Sequence, residues 1–141
     1  MFQSFRSTVL LSLVLGCLAT QDAISGRYLS ESGAEMRLFC DTSTSTTPIQ
    51  SANLTGWFSP KSGNVSNQYH LSGQATSCGR SAYLSFSVTR SDQRAATSWV
   101  AQAVPNGSGD SVYLYSVWLM ISEDTVHGYS NTIGTDWFFF Y

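Results

Sequence analysis

The longest alternating stretch of the chain covers residues 111–121 and predicts a single β-strand. Alternate residues of a strand share a face, and both faces here are mostly apolar. The first face holds Val112, Leu114, Ser116, Trp118 and Met120, and the second holds Tyr113, Tyr115, Val117, Leu119 and Ile121. A strand that is apolar on both faces is covered on both sides. This strand alone fits either the core of a sandwich or the wall of a barrel that packs against a second subunit.

Seven other short segments are typical of strands and are separated by turn residues. They span residues 25–29, 35–40, 53–58, 68–75, 82–89, 96–104 and 132–141. No segment shows a sustained helical period, and the Asn-Gly pair at 106–107 is a strong hairpin signal. The sequence therefore predicts an all-β fold, namely an eight-stranded antiparallel up-and-down β-barrel. Closure also removes the exposed sheet edges, at which strands of other molecules could pair. Charged side chains usually prevent such pairing, and this chain has few of them.

The amino-terminal residues are typical of a secretory signal peptide. Arg6 precedes an apolar run at 9–18 that is too short to span a membrane, and small residues at Cys17 and Ala19 suit a cleavage site. We expect residues 1–19 to be the signal peptide and residues 20–141 to be a secreted, extracellular domain. No other apolar run is long and charge-free enough for a membrane-spanning helix, so no membrane partner is expected.

Two cysteines, Cys40 and Cys78, remain once the leader is removed. An even number of cysteines in an oxidising compartment favours one disulfide, which would close a loop of about 38 residues. Two free, buried thiols are the alternative. In a secreted chain, the Asn-x-Ser/Thr triplets that begin at Asn64, Asn106 and Asn53 are candidate glycosylation sites. Asn64 and Asn106 lie in turn-like sequence, whereas Asn53 opens a predicted strand.

Charge and motif content exclude several function classes. Six basic residues face nine acidic ones after the leader is removed, with no basic run, so nucleic acid is not an expected partner. His70 and His127 lack the neighbours of a metal site, although Asp124 lies three residues before His127. The chain has no nucleophile elbow or comparable signature, so we expect neither an enzyme nor a metal-binding protein.

Six short segments, in order, resemble the avidin and streptavidin family. They are GRYLSESG at 26–33, LTGWF at 54–58, YHLSG at 69–73, ATSW at 96–99 followed by Gln102, VWLM at 117–120 and IGTD at 133–136. The resemblance covers nearly all of the chain beyond the leader. It implies an eight-stranded barrel that binds biotin at its mouth, as a ligand and not as a cofactor.

The resemblance also implies a set of ligand-binding residues. Asp136 falls where the family has an acceptor for a ureido N–H, Thr97 where it has a threonine beside the ring sulfur, and Trp99 and Trp118 where tryptophans enclose the ring. Other positions differ. Ser30 replaces an asparagine donor, Phe58 replaces a tyrosine donor, and Arg90 replaces a tryptophan at the mouth. Ala34 and Ala95 replace serines, and near Tyr129 the chain is shorter than the family pattern.

These substitutions leave the ureido oxygen short of donors, although Tyr69 or His70 could supply one. We therefore expect a secreted protein that binds biotin or a related ligand more weakly than the family's best members. The alternative is a structural or interaction module that has kept the barrel and lost the ligand; a lipocalin-like carrier ranks lower, because the chain lacks that family's opening motif and terminal helix pattern. The apolar outward face at 113–121 predicts a homo-oligomer.

Overall fold

The computed structural model describes residues 22–42, 51–61, 67–107 and 109–141. The predicted signal peptide and the predicted glycosylation site Asn64 lie outside these residues. Within them, no helix is long and apolar enough to cross a membrane, and no three His, Cys, Asp or Glu side chains are grouped as they would be around a metal ion.

Eight antiparallel strands form a closed barrel in simple sequence order. They are β1 (Gly26–Ser30), β2 (Glu35–Asp41), β3 (Ala52–Ser59), β4 (Tyr69–Ala75), β5 (Tyr83–Arg90), β6 (Ala95–Pro105), β7 (Val112–Ser122) and β8 (Ser130–Phe140). β1 pairs with both β2 and β8, which closes the sheet. The predicted up-and-down barrel is confirmed, and most predicted strand boundaries lie within one residue of those observed.

The inward and outward faces of each strand follow the alternation of the sequence. On β5, Leu84, Phe86 and Val88 are buried in the barrel while the serines between them face outward. A short 3₁₀ turn at Ser91–Gln93 links β5 to β6. β6 and β7 then pair along their whole length, from Ala95↔Ser122 to Pro105↔Val112. This long ladder holds the residues of the candidate site in a fixed register.

One end of the barrel is closed by packing and by a disulfide. Cys40, near the end of β2, is bonded to Cys78 in the β4–β5 connection, so the predicted disulfide is confirmed. Ile24 is fully buried at this end, and its carbonyl oxygen accepts a 2.6 Å hydrogen bond from the hydroxyl of the buried Tyr28. Burial raises the pKa of Tyr28 far above its usual value. Because packing and the disulfide close this end of the barrel, we expect a ligand to enter at the opposite end.

The outward face of β6, β7 and β8 carries a group of exposed apolar side chains. Its members include Val100, Val117, Leu119, Ile121 and Ile133. Val100 pairs with Val117, and Leu119 pairs with Ile133, so these side chains are neighbours on one surface. We call this group the outer apolar face. Its position agrees with the outward-facing residues that the alternation of 113–121 predicts.

Candidate ligand-binding site

A cavity of about 500 Å³ opens at the end of the barrel opposite the disulfide. Its walls come from the ends of β3, β5 and β6, from β7 and β8, and from the β1–β2 turn. The residues of the predicted site that line it are Phe58, Arg90, Thr97, Trp99, Trp118 and Asp136. Antiparallel neighbours with hairpin links bring these distant positions to one end of the barrel. The volume lies within the range of roughly 300–1,000 Å³ that small-molecule sites occupy.

Trp99 lies at the centre of the aromatic part of the wall. Its ring is 4.9 Å from the ring of Phe58, at an interplanar angle of 53°, and 5.4 Å from the ring of Phe86, nearly parallel at 18°. Only 4% of Trp99 is exposed. Aromatic pairs at such distances stabilise one another beyond the area they bury. Trp99 is therefore held rigidly, as a surface against which a flat apolar ring can pack.

Trp118 lies beside Trp99 on the neighbouring strand and depends on a glycine across the next ladder. Trp99 pairs with Trp118, and Trp118 pairs with Gly134 on β8. A Cβ atom at position 134 would lie 2.4 Å from Trp118 Cζ2, well inside contact distance. The indole of Trp118 thus occupies the space above Gly134. The glycine in the IGTD segment sets where this side chain can lie.

A hydrogen-bonded chain of small side chains leads from the β1–β2 turn to Asp136. The Ala34 N–H donates to Ser30 Oγ at 2.9 Å, the oxygens of Ser30 and Ser32 are 2.8 Å apart, and Ser32 donates to Asp136 Oδ2 at 2.9 Å. Each hydroxyl has a single proton. Because the Ser32 proton goes to Asp136, the Ser30 proton must go to Ser32. Each donor in this series of hydrogen bonds therefore points along it towards the Asp136 carboxylate.

This arrangement changes the role that the sequence analysis assigned to Ser30. Ser30 is buried and does not line the cavity, since its hydroxyl serves the turn. Ser32, which the motif comparison did not single out, lines the cavity instead. Ala34 also lines it but contributes no hydroxyl. Turn residues have no fixed alternation, so only the folded turn shows which serine lines the cavity.

Arg90 ends β5 and turns its guanidinium group into the cavity rather than outward. Its Nη2 lies 2.9 Å from Met120 Sδ and 3.5 Å from Thr97 Oγ1, and its Nη1 lies 3.3 Å from Gln93 Oε1. Thr97 is buried and pairs with Met120 across the β6–β7 ladder. A cation at this position makes this part of the cavity polar.

The two side chains considered as substitute donors, Tyr69 and His70, have other contacts. The Tyr69 hydroxyl donates to Asp92 Oδ2 at 2.9 Å, and this hydrogen bond raises the pKa of Tyr69. His70 is exposed and lies edge-on to Trp57, 5.7 Å between ring centres. Neither residue lines the cavity. Both are outside the candidate site.

Five further cavity residues were absent from the predicted set: Glu31, Pro60, Met120, Thr135 and Phe138. Met120 is two residues from Trp118 and Phe138 is two residues from Asp136, so strict alternation would have placed both on the inward face. Thr135 has the opposite parity to Asp136. It lines the cavity nonetheless, and alternation gives no account of this.

The remaining predicted positions lie away from the cavity. Asn53 is exposed on β3, and Asn106 is half-buried in the β6–β7 turn, where its side-chain nitrogen lies 3.4 Å from Ser111 Oγ. His127 Nδ1 lies 3.4 Å from Asp124 Oδ2 in the β7–β8 connection. The Val126 N–H, which donates to Asp124 Oδ1 at 2.8 Å, lowers the pKa of that carboxyl, and His127 adds to the effect.

Comparison with solved structures shows the same barrel. A rhizavidin–biotin complex is 22% identical in sequence, with a TM-score of 0.61, and the match covers 83% of this chain and 99% of that one. A bradavidin2–biotin complex is 20% identical, with a TM-score of 0.57 over 84% of this chain and 97% of that one. Xenavidin is 18% identical, with a TM-score of 0.61 over 83% and 96%.

A comparison with curated proteins found no match. The model of the Avidin family, in contrast, matches residues 12–141. That range contains all eight strands and every residue of the cavity wall. Because the match extends over nearly the whole chain, this protein belongs to the avidin family.

Proposed function

We propose that this protein is a secreted, non-enzymatic binding protein that holds biotin, or a ligand with a related cyclic urea, in the barrel mouth. One observation carries the proposal. Asp136, Thr97, Trp99 and Trp118 come from three different strands and line the same cavity. Together they offer a flat aromatic enclosure with a carboxylate and a hydroxyl at its edge, as a ring with polar N–H groups requires.

The carboxylate of Asp136 is positioned to accept a ligand N–H. Its Oδ2 receives the Ser32 hydroxyl, while no hydrogen bond from a described residue reaches its Oδ1. A buried ligand N–H that finds no acceptor costs about 1–3 kcal/mol. A hydrogen bond from the ligand N–H to Asp136 Oδ1 would remove this penalty. The Ser32 contact meanwhile holds the carboxylate in place.

The oxygen of a cyclic urea finds fewer donors. Phe58 and Ala34 contribute no hydroxyl to the cavity, and the Ser32 proton is already directed to Asp136. Ser32 could serve the urea oxygen only by turning away from Asp136. Each missing donor costs about 1–3 kcal/mol, which is roughly 5- to 150-fold in affinity. Binding weaker than that of the family's best members follows from this shortage.

The proposal includes a homo-oligomer and a secreted location. The side chains of the outer apolar face are exposed and adjacent across the ladders rather than scattered, and a second copy of this chain would cover them. Residues 1–19 would direct secretion and residues 20–141 would form the exported domain. Asn53, Asn64 and Asn106 remain candidate glycan acceptors.

Calorimetric titration of biotin into the secreted protein tests the function. We expect saturable binding that Asp136→Ala weakens at least tenfold, because the ligand N–H loses its acceptor. Asp110→Ala is the matched control, since Asp110 is exposed in the turn at the other end of the barrel. A picomolar or tighter dissociation constant would contradict the weakened affinity.

A second candidate is a structural or interaction module without biotin binding. The observations that favour it are the missing hydroxyls at Phe58 and Ala34 together with the outer apolar face. Wild-type protein that gave no heat with millimolar biotin, while remaining folded and oligomeric, would contradict biotin binding and favour this alternative.

A further inference from the structure

Arg90 is a cation at the cavity with poor internal acceptors. Met120 Sδ is a weak acceptor, and the 3.3 Å and 3.5 Å contacts to Gln93 and Thr97 are long. The buried Nε of Arg90 has no hydrogen-bond partner in the described part of the chain. Buried polar groups in native proteins are nearly always paired. The guanidinium group, which belongs to a residue of the cavity wall, therefore has unused hydrogen-bonding capacity.

Two other arginines of the barrel are paired with carboxylates. Arg27 lies 2.8 Å from Glu35, and Arg94, four residues after Arg90, lies 2.9 Å from Glu123. None of the ion pairs among the described residues includes Arg90. A guanidinium group matches a carboxylate well, because its parallel N–H groups can meet both carboxylate oxygens.

The charges that line the cavity are separated across it. Glu31 and Asp136 lie on or next to β1 and β8, while Arg90 ends β5. In a closed barrel of eight strands, β5 is opposite β1. A ligand with N–H donors at Asp136 can therefore extend an anionic group towards Arg90 and away from both acidic side chains.

We propose that Arg90 binds the carboxylate of the ligand, so that the site selects free acids over their neutral esters and amides. This inference rests on the proposed function, because a biotin-like ligand brings its carboxylate to Arg90 only if its ring occupies the cavity. Charge-assisted hydrogen bonds of this kind are stronger than neutral ones. Neutralising either partner should therefore cost about 10- to 100-fold in affinity.

Calorimetry with biotin and biotin methyl ester, which differ only at the carboxyl group, tests the selectivity. We expect wild-type protein to bind the ester about 10- to 100-fold more weakly than biotin. Arg90→Gln should weaken biotin to the level of the ester and leave ester binding within about twofold. Arg94→Gln, which removes the same charge from the same loop outside the cavity, should preserve the preference.

The opposite results would overturn the inference while leaving the biotin proposal intact. Equal binding of biotin and its ester by wild-type protein would show that Arg90 does not meet the carboxylate. Tighter biotin binding by Arg90→Gln would show that the arginine obstructs the cavity. Arg90→Lys keeps the positive charge but loses the two parallel N–H groups, so it should give an intermediate preference for biotin over its ester. It also serves as a second variant in case Arg90→Gln does not fold.

Nuclear magnetic resonance of the Arg90 Nε–H signal separates this inference from the biotin proposal. We expect the signal of wild-type protein to shift with millimolar hexanoate and not with hexanamide, neither of which contains a cyclic urea. A hexanoate shift without biotin binding would reject the proposed function and keep the anion site. No shift with either hexanoate or biotin would overturn the anion site.

Discussion

The Ser32 hydroxyl donates a 2.9 Å hydrogen bond to Asp136 Oδ2 across 104 residues of sequence. Ser32 lies in the β1–β2 turn and Asp136 on β8, and the β1–β8 ladder that closes the barrel brings them together. The contact therefore exists only in the closed barrel. It joins a turn residue to the carboxylate on which the proposed site depends.

Ser32→Ala should weaken biotin binding about fivefold, or ~1 kcal/mol, because the Asp136 carboxylate loses the donor that orients it. The effect is modest because this contact is accessible to solvent. Ser87→Ala, on the outward face of β5, is the control and should bind like wild type. Calorimetry measures both. Tighter binding by Ser32→Ala would mean that Ser32 competes with the ligand for Asp136.

Phe58→Tyr should strengthen biotin binding by about tenfold, or ~1.4 kcal/mol, because it adds a hydroxyl donor to the cavity wall. Adding Ala34→Ser should increase the gain if its hydroxyl also reaches the urea oxygen. Phe39→Tyr, on the exposed face of β2, tests for a general effect of tyrosine. Calorimetry on the wild type and the three variants measures these affinities. Unchanged affinity in the Phe58→Tyr protein would place the urea oxygen elsewhere.

Gly134→Ala should destabilise the barrel by about 1–3 kcal/mol, because the new Cβ would meet the Trp118 indole and overpack the wall. Biotin binding should weaken as Trp118 moves. Gly109→Ala is the control, since its Cβ would have only one neighbour, at 3.8 Å. Urea unfolding and calorimetry report the two effects. Equal stability of the two variants would contradict the close packing of Trp118 on Gly134.

Replacing both Cys40 and Cys78 by serine should lower the free energy of unfolding by about 3–4 kcal/mol, as expected for a loop of this length. Biotin affinity of the folded variant should stay within about twofold of wild type, because the disulfide lies at the opposite end of the barrel. Urea unfolding and calorimetry measure these values. A large loss of affinity in a fully folded variant would show that the two ends are coupled.

Leu119→Glu should convert an oligomer into monomers, because it introduces a charge into the outer apolar face, where Leu119 is 42% exposed. Thr55→Glu, exposed on the outward face of β3, should leave the assembly unchanged. Multi-angle light scattering gives the mass of each. Wild-type protein that is monomeric at micromolar concentration would contradict the proposed interface.

The strands and the faces of their side chains could be predicted from the sequence because both depend on neighbours in the chain. Leu84, Phe86 and Val88 alternate with serines, and the strand that they form buries those three side chains. The Cys40–Cys78 disulfide could be predicted by counting the cysteines that lie outside the predicted signal peptide. Asp136, Thr97, Trp99 and Trp118 could be expected at the cavity because each lies in a short segment that resembles a known family, and all four line it.

Only the tertiary structure decided which side chains meet at the cavity. The resemblance implied a ligand contact for Ser30, whereas in the folded turn Ser32 donates to Asp136. The direction of Arg90 at the end of β5, and the packing of Trp118 over Gly134, likewise depend on neighbouring strands. Alternation is a local property of a strand, but contacts between distant turns and strands require the closed barrel and its register.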